Sequence, residues 1–343
     1  MSITRRQTLT ALAGSLAAAG VTAPLTAASQ ATSGGAPASN SGKRVSIGVS
    51  VPAADHGWTA GVVWWAKQAM ALYPQIDWTF AAAANPEKQI ADIETMLAKG
   101  VDGLVILATE SAPLTPVAKQ AAQAGVLIVN VDRGFLEPVA DIFLEGDNKA
   151  FGRTSAQFIV DRVKKEKGGK ARIVILEGIP CTVNSDRVNA AMEVFKANPG
   201  IEVVGQATGN WNRQKALEVM ETLLVKNPGG AKGIDVVWAS DDDMALGAEQ
   251  AIKEAGRAKE MWILGGAGMK DIVKRVGEKD PMFPADITYP PSMIATGIQL
   301  AVGVLRDGNR TKIMPFMPKH MMIDVELITP ENAAQYYFAD SVY

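Results

Sequence analysis

Cysteine is nearly absent. Cys181 is the only one, so the chain has no intramolecular disulfide framework and no Cys-rich metal site. Histidine is scarce too, with only His56 and His320. That argues against most histidine-built metal centres and acid–base constellations, though a carboxylate enzyme stays open. Charge of one sign is also missing. Thirty-four Lys and Arg against 36 Asp and Glu leave a net charge of -2. There is no basic footprint for nucleic acid and no acidic tail. Nucleotide signatures fail as well: Gly265-Gly266-Ala267-Gly268 has neither the G-x-G-x-x-G spacing nor a following G-K-S/T. No G-x-S-x-G elbow occurs, and no apolar run beyond the N-terminal stretch is long enough to cross a membrane.

What is present suits a globular protein. The 343 residues suffice for two domains, and 48% are hydrophobic. Arg5-Arg6 precedes an apolar run from Ala11 to Val21, which is interrupted by Gly14, Ser15 and Gly20 and followed by small residues around Ala27-Ala28. Residues 1–28 read as an export signal peptide resembling the twin-arginine type, with the ordinary secretory route as the alternative. Thr8 and Thr10 depart from the twin-arginine pattern. Residues 29–43 read as a flexible Ser/Gly/Ala/Pro linker. The mature chain is expected outside the cytoplasm, in the periplasm.

From Arg44 onward short apolar runs alternate with helical patterns. Strands are expected at 44–51, 77–84, 104–107, 126–131 and 142–144, with helices between them. Asn85-Pro86 opens one of these helices, as cap and first residue. The rhythm restarts at Lys149, with strands at 171–176, 201–207, 234–239, 262–264 and 283–288. This pattern predicts an α/β fold of two similar, doubly wound parallel-sheet lobes.

Polar and aromatic residues follow the strands. They include Asp55-His56-Gly57-Trp58, Asp132-Arg133, Asn148, Asn184 and Arg187, Trp211, Asp241-Asp242-Asp243 and Tyr289. Ligands of open parallel sheets sit beyond the carboxyl ends of the strands. Flat aromatic faces beside directional hydrogen-bonding groups suit a molecule with both C–H patches and hydroxyls, a sugar or polyol. Each residue has a plainer reading. Asp132-Arg133 can be a surface ion pair. A Trp after a strand is often core, and Trp64 and Trp65 are assigned to core or helix packing, not to the site. In the aspartate run, Asp243 is expected to cap a helix starting at Met244, Asp242 to be solvated and only Asp241 to face the cleft. Cys181 reads as a structural thiol. Glu177 can be a catalytic acid, but no carboxylate partner completes a pair.

Several segments together resemble the periplasmic sugar-binding proteins related to ribose-binding protein, which share their fold with the ligand-binding part of LacI-type repressors. These are Val129-Asn130-Val131-Asp132-Arg133, Gly146-Asp147-Asn148, Leu176-Glu177-Gly178 with Asn184-Ser185-Asp186-Arg187, Asn210-Trp211-Asn212-Arg213, and Ala239-Ser240-Asp241-Asp242-Asp243-Met244-Ala245-Leu246-Gly247. The resemblance runs from about Arg44 to about Ile328. It implies a type I periplasmic-binding fold with a three-strand hinge, one lobe from 44–146 plus 290–319 and the other from 147–289 plus 320–343. The last crossing then falls near Lys319. It places His56, Trp58, Asp132, Arg133, Asn148, Arg187, Trp211, Asp241 and Tyr289 against the ligand. Ala267 stands where the family often has Asp, and Tyr289 where Gln or Asn is common. A different aldose, a ketose, a polyol or a cyclitol therefore fits as well as ribose.

The resemblance implies a non-enzymatic, monomeric solute-binding component of an ABC-type sugar importer. It would need no cofactor or metal, would not bind nucleic acid, and would deliver a monosaccharide or polyol to a permease; a chemoreceptor is a further possible partner. The alternatives are a secreted carbohydrate-active enzyme using Glu177 or Asp241, a LacI-like regulator, and a signal receptor of the same fold. An export signal where a regulator carries its helix-turn-helix speaks against the second of these.

Overall fold

The structure is a computed structural model that describes residues 44–343. The expected signal peptide and linker lie outside the described residues. The first half alternates up to its last two strands: β1 (Ser46–Pro52), α1 (Gly57–Ala71), β2 (Asp77–Ala83), α2 (Pro86–Ala98), β3 (Gly103–Ile106), α3 (Ser111–Gln123), β4 (Leu127–Val131) and β5 (Ile142–Gly146). The second half continues with α4 (Asn148–Lys167), β6 (Ala171–Glu177), α5 (Thr182–Lys196), β7 (Ile201–Thr208), α6 (Arg213–Lys226), β8 (Val236–Ala239), α7 (Asp242–Glu254), β9 (Trp262–Leu264), α8 (Lys270–Gly277) and β10 (Asp286–Ile287). The chain ends with α9 (Met293–Leu305), α10 (Arg310–Ile313), β11 (His320–Ile323) and β12 (Leu327–Ile328).

Two separate parallel sheets result. The first runs β2-β1-β3-β4-β5-β11 and the second β7-β6-β8-β9. Every residue of β3, β4 and β8 is buried. Strands covered by helices on both faces have no polar side to show, which is why these segments read as unbroken apolar runs. Helix starts follow local chemistry. Asn85 accepts from the Lys88 amide at 2.9 Å with Pro86 in the first turn, as expected, and Asn212 caps α6 the same way through Lys215.

Three connections join the lobes: β5 to α4, β10 to α9, and β11 to β12. The last crossing differs from expectation. Residues 320–323 pair in parallel with β5, so the first sheet keeps the chain through Ile323 and the crossing comes after it, not near Lys319. β11 is a half-exposed edge strand, too short to show an alternating pattern. β10 is shorter than the 283–288 run suggested and pairs antiparallel with β12. Trp65 is partly buried against the core, and the more exposed Trp64 packs edge-on against it at 4.8 Å on the same helix. Cys181 is a buried free thiol that burial pushes up in pKa.

Candidate functional site

In each sheet the strand order reverses beside the first strand of that lobe. β1 lies between β2 and β3, and β6 lies between β7 and β8. Such switch points leave a crevice at the carboxyl ends of the strands. Here the two crevices contribute to one cavity, lined by His56, Trp58, Asp132, Arg133, Val183, Arg187, Trp211, Asp241, Ala267 and Tyr289. Eight of the nine residues expected from the sequence meet there. The ninth, Asn148, stands behind the wall: its Oδ1 accepts from Arg187 Nε at 2.9 Å, and its Nδ2 donates to the Gly146 carbonyl. Val183 was not anticipated, because one valine near a helix start carries no sequence signal.

The first lobe's polar pair is built by a break in regular backbone. Asp132 leaves β4 with φ 65, a left-handed conformation that Asp tolerates better than most residues. Its carboxylate is buried, 3.7 Å from Arg133 Nε. Arg133 is buried as well, and its Nη1 donates to the carbonyls of Ala108 and Thr109 at 3.2 and 2.9 Å. Burial raises the Asp132 pKa, while Arg133, Tyr289 and Arg187 oppose that rise. Two buried donors among the lining residues, Arg133 Nε and Trp211 Nε1, have no hydrogen-bond partner. Unpaired buried donors are costly, so acceptors on a guest would be rewarded here.

From the second lobe Trp211 enters, also in the left-handed region, at φ 54. Gly178 makes room for it, since a Cβ there would come within 2.0 Å of the indole. The Arg133 guanidinium lies 4.9 Å from the Trp211 ring centroid, joining the two lobes by a cation–π contact. Arg187 is held by the Ser240 carbonyl at 2.7 Å and by Asn148, with its guanidinium over the rings of Phe151 and Tyr289 at 4.0 and 4.2 Å. Ala267, at φ 138, completes the wall. Three of the five non-glycine residues with positive φ among those described therefore line this cavity. Local backbone strain concentrates at functional sites.

The aspartate run divides its labour differently from expectation. Asp241, not Asp243, caps α7: its Oδ1 accepts from the Met244 amide at 3.1 Å, and it also lines the cavity. Burial pushes its pKa to about 6. Asp242 is fully buried, not solvated. Its two oxygens accept from the amides of Gly266 and Met269 at 2.9 and 2.8 Å, fixing the loop that carries Ala267. Asp243 reaches across to the other lobe, accepting from the Gly57 amide at 2.7 Å, and within its own lobe accepts from Arg213 at 2.8 Å. The helix begins two residues earlier than the Met244 start suggested, which moves the cap from Asp243 to Asp241 and reassigns the other two aspartates. His56 sits at the N-cap of α1, its Nδ1 2.7 Å from Asp55. Glu177 pairs with Asn184 and Gln206 and does not line the cavity.

Residues 47–309 match the family described as periplasmic binding protein domain. The chain is 31% identical to the ribose import binding protein of Bacillus subtilis (strain 168) over 214 residues, 62% of this chain and 66% of that protein. It is 28% identical to the D-allose-binding periplasmic protein of Escherichia coli (strain K12) over 253 residues, 71% of this chain and 78% of that protein. The crystal structure of a galactofuranose binding protein superposes with a TM-score of 0.77 at 26% identity, covering 87% of this chain and all of that one. Two sheets reversing at facing crevices, a three-stranded hinge and a polar cavity between them agree with these matches, and the chain belongs to the periplasmic binding protein domain family.

Proposed function

We propose that this protein is the sugar- or polyol-binding component of an ABC-type importer, taking its ligand in the cavity between the lobes and presenting it to a membrane permease. The observation that carries the reading is the convergence of Asp132, Arg133, Arg187 and Asp241 with Trp58, Trp211 and Tyr289 around one cavity. Charged groups hold hydroxyls by charge-assisted hydrogen bonds, and aromatic faces cover C–H patches. The relatives bind ribose, allose and galactofuranose by their names, which supports the ligand class.

In this reading Asp132, Arg133, Arg187, Trp211, Asp241, Tyr289, His56 and Trp58 contact ligand, and Asn148 orients Arg187. Nothing in the site calls for turnover. The two carboxylates weighed as acid or base are otherwise engaged, Asp241 as a helix cap and Glu177 outside the cavity. Family membership supports a periplasmic location, and the Arg5-Arg6 segment supports export by the twin-arginine route. Ligand contacts made by both lobes favour the closed form, because only differential contacts shift such an equilibrium. A monomer is the working state.

A thermal-shift screen with pentoses, hexoses, polyols and cyclitols tests the reading. A true ligand at about 100 times its dissociation constant adds about 2.7 kcal/mol to stability. A folded protein unmoved by every member of that panel would overturn it.

A further inference from the structure

Besides the three hinge connections, the last stretch of the chain also ties the lobes together. It is anchored first on the second lobe. Ala333 is buried beside Gly277 of α8, and the Lys270 ammonium at the start of α8 donates to the Ser341 carbonyl at 2.6 Å. The Tyr343 amide donates to Ser341 Oγ at 3.0 Å, which turns the phenol toward α1 in the first lobe. Tyr343 is only 6% exposed there.

The seat on α1 is made by two missing side chains. Gly57 and Gly61 stand four residues apart on this helix and so share a face. A Cβ at Gly57 would come within 3.2 Å of Tyr343 Cε2, and one at Gly61 within 3.2 Å of Tyr343 Cβ. The second lobe fills the same corner. The Cβ at Gly57 would also come within 2.9 Å of Asp243 Oδ2 and 3.1 Å of Met269 Cε, and the Gly57 amide donates to Asp243. The Tyr343 hydroxyl has no hydrogen-bond partner among the described residues, so ring packing holds the phenol in place.

Between its anchors the stretch is loosely packed. Tyr337, Phe338 and Val342 are exposed. Tyr336 and Phe338 wall a cavity of about 330 Å³ with Trp65 of α1 and the hinge residues Pro290 and Pro291. Well-packed interiors rarely leave voids of that size. The stretch is thus fastened at its two ends, one on each lobe.

We infer that residues 333–343 form a strap that holds the lobes closed through the seat of Tyr343 on Gly57 and Gly61, without any contact to ligand. Hinge opening withdraws α1 from Asp243 and unseats the phenol. A contact made only in the closed form shifts the open–closed equilibrium by its own differential free energy. Every contact here runs between protein groups, so the strap favours closure whatever lies in the cavity. This goes beyond the sugar-binding reading and does not depend on it.

Double electron–electron resonance on protein dialysed free of sugar tests it. The spin labels sit on Glu87→Cys and Gln214→Cys, exposed positions at the starts of α2 and α6 in opposite lobes, in a Cys181→Ser background. With Tyr343 in place, the short inter-lobe distance of the closed form is populated. Tyr343→Ala lowers the closed-to-open ratio about 10-fold. Tyr343→Phe leaves it unchanged, because the hydroxyl it removes has no partner. Lys270→Ala, which frees the Ser341 carbonyl, lowers the ratio about 3-fold and decides the matter if the Tyr343→Ala protein does not fold. A parent protein that is wholly open, a folded alanine variant as closed as the parent, or a Tyr343→Phe protein that opens overturns the inference. No sugar takes part in the measurement, so its failure leaves the sugar-binding reading intact.

Discussion

The two lobes hold the cavity by different means. The first offers Asp132-Arg133, two adjacent residues at one strand end, both buried and both lining the cavity. The second offers Asp241-Asp242-Asp243, three identical residues of which one caps and lines, one braces a loop from behind, and one reaches to the opposite lobe. A charged pair at a strand end is legible as a site because strand and position coincide. In a run of three aspartates the role of each depends on where the helix begins, and a two-residue difference there reassigns them.

If that contrast holds, substitutions in the two lobes fail differently. Asp132→Asn keeps its shape but loses the charge, so binding should weaken by about 2–5 kcal/mol with the fold retained; calorimetry with full retention of affinity would move the site elsewhere. Asp242→Ala should do the reverse, costing about 2–4 kcal/mol of stability, because two buried amides lose their acceptors. Urea denaturation measures this, and an unchanged midpoint would break the assignment of Asp242 as a brace.

The second lobe should also make the protein sensitive to pH. Burial holds Asp241 at about 6 and Asp286 at about 7, and burial with Asp286 nearby pushes Asp242 well above the usual range. An unfolded Asp titrates near about 3.9. Between about pH 4 and pH 7 the folded state therefore binds more protons than the unfolded one, and stability falls as pH rises through that window. Denaturation midpoints that rise with pH there would contradict this. Asp286→Asn, which mimics the protonated acid, should flatten the slope.

Two smaller effects complete the comparison. Trp211→Ala removes the ring beside Arg133 and should weaken binding by about 1–3 kcal/mol, with a smaller loss for Trp211→Phe, read by the same calorimetry. Arg213→Ala breaks an ion pair whose arginine is half exposed, and should shift stability by less than about 1 kcal/mol.

Legibility tracks locality. Strands β3, β4 and β8 were evident because burial on both faces leaves an unbroken apolar run, and α2 because Asn85-Pro86 marks its start. β11 was missed because a half-exposed edge strand has almost no pattern. The family resemblance puts Asn148 against ligand; in the structure its side chain accepts from Arg187, a partner 39 residues away.

The sequence by itself determined the alternating α/β plan, the polar and aromatic strand ends and the family they resemble, because strand burial and turn chemistry act over a few residues. Only the tertiary structure decided that Tyr289 donates to Asp132 across 157 positions, that Gly146 and Gly178 vacate the space two rings occupy, and that the cavity between the lobes is small. Those outcomes depend on which side chains from distant segments compete for the same volume, and no local pattern records that competition.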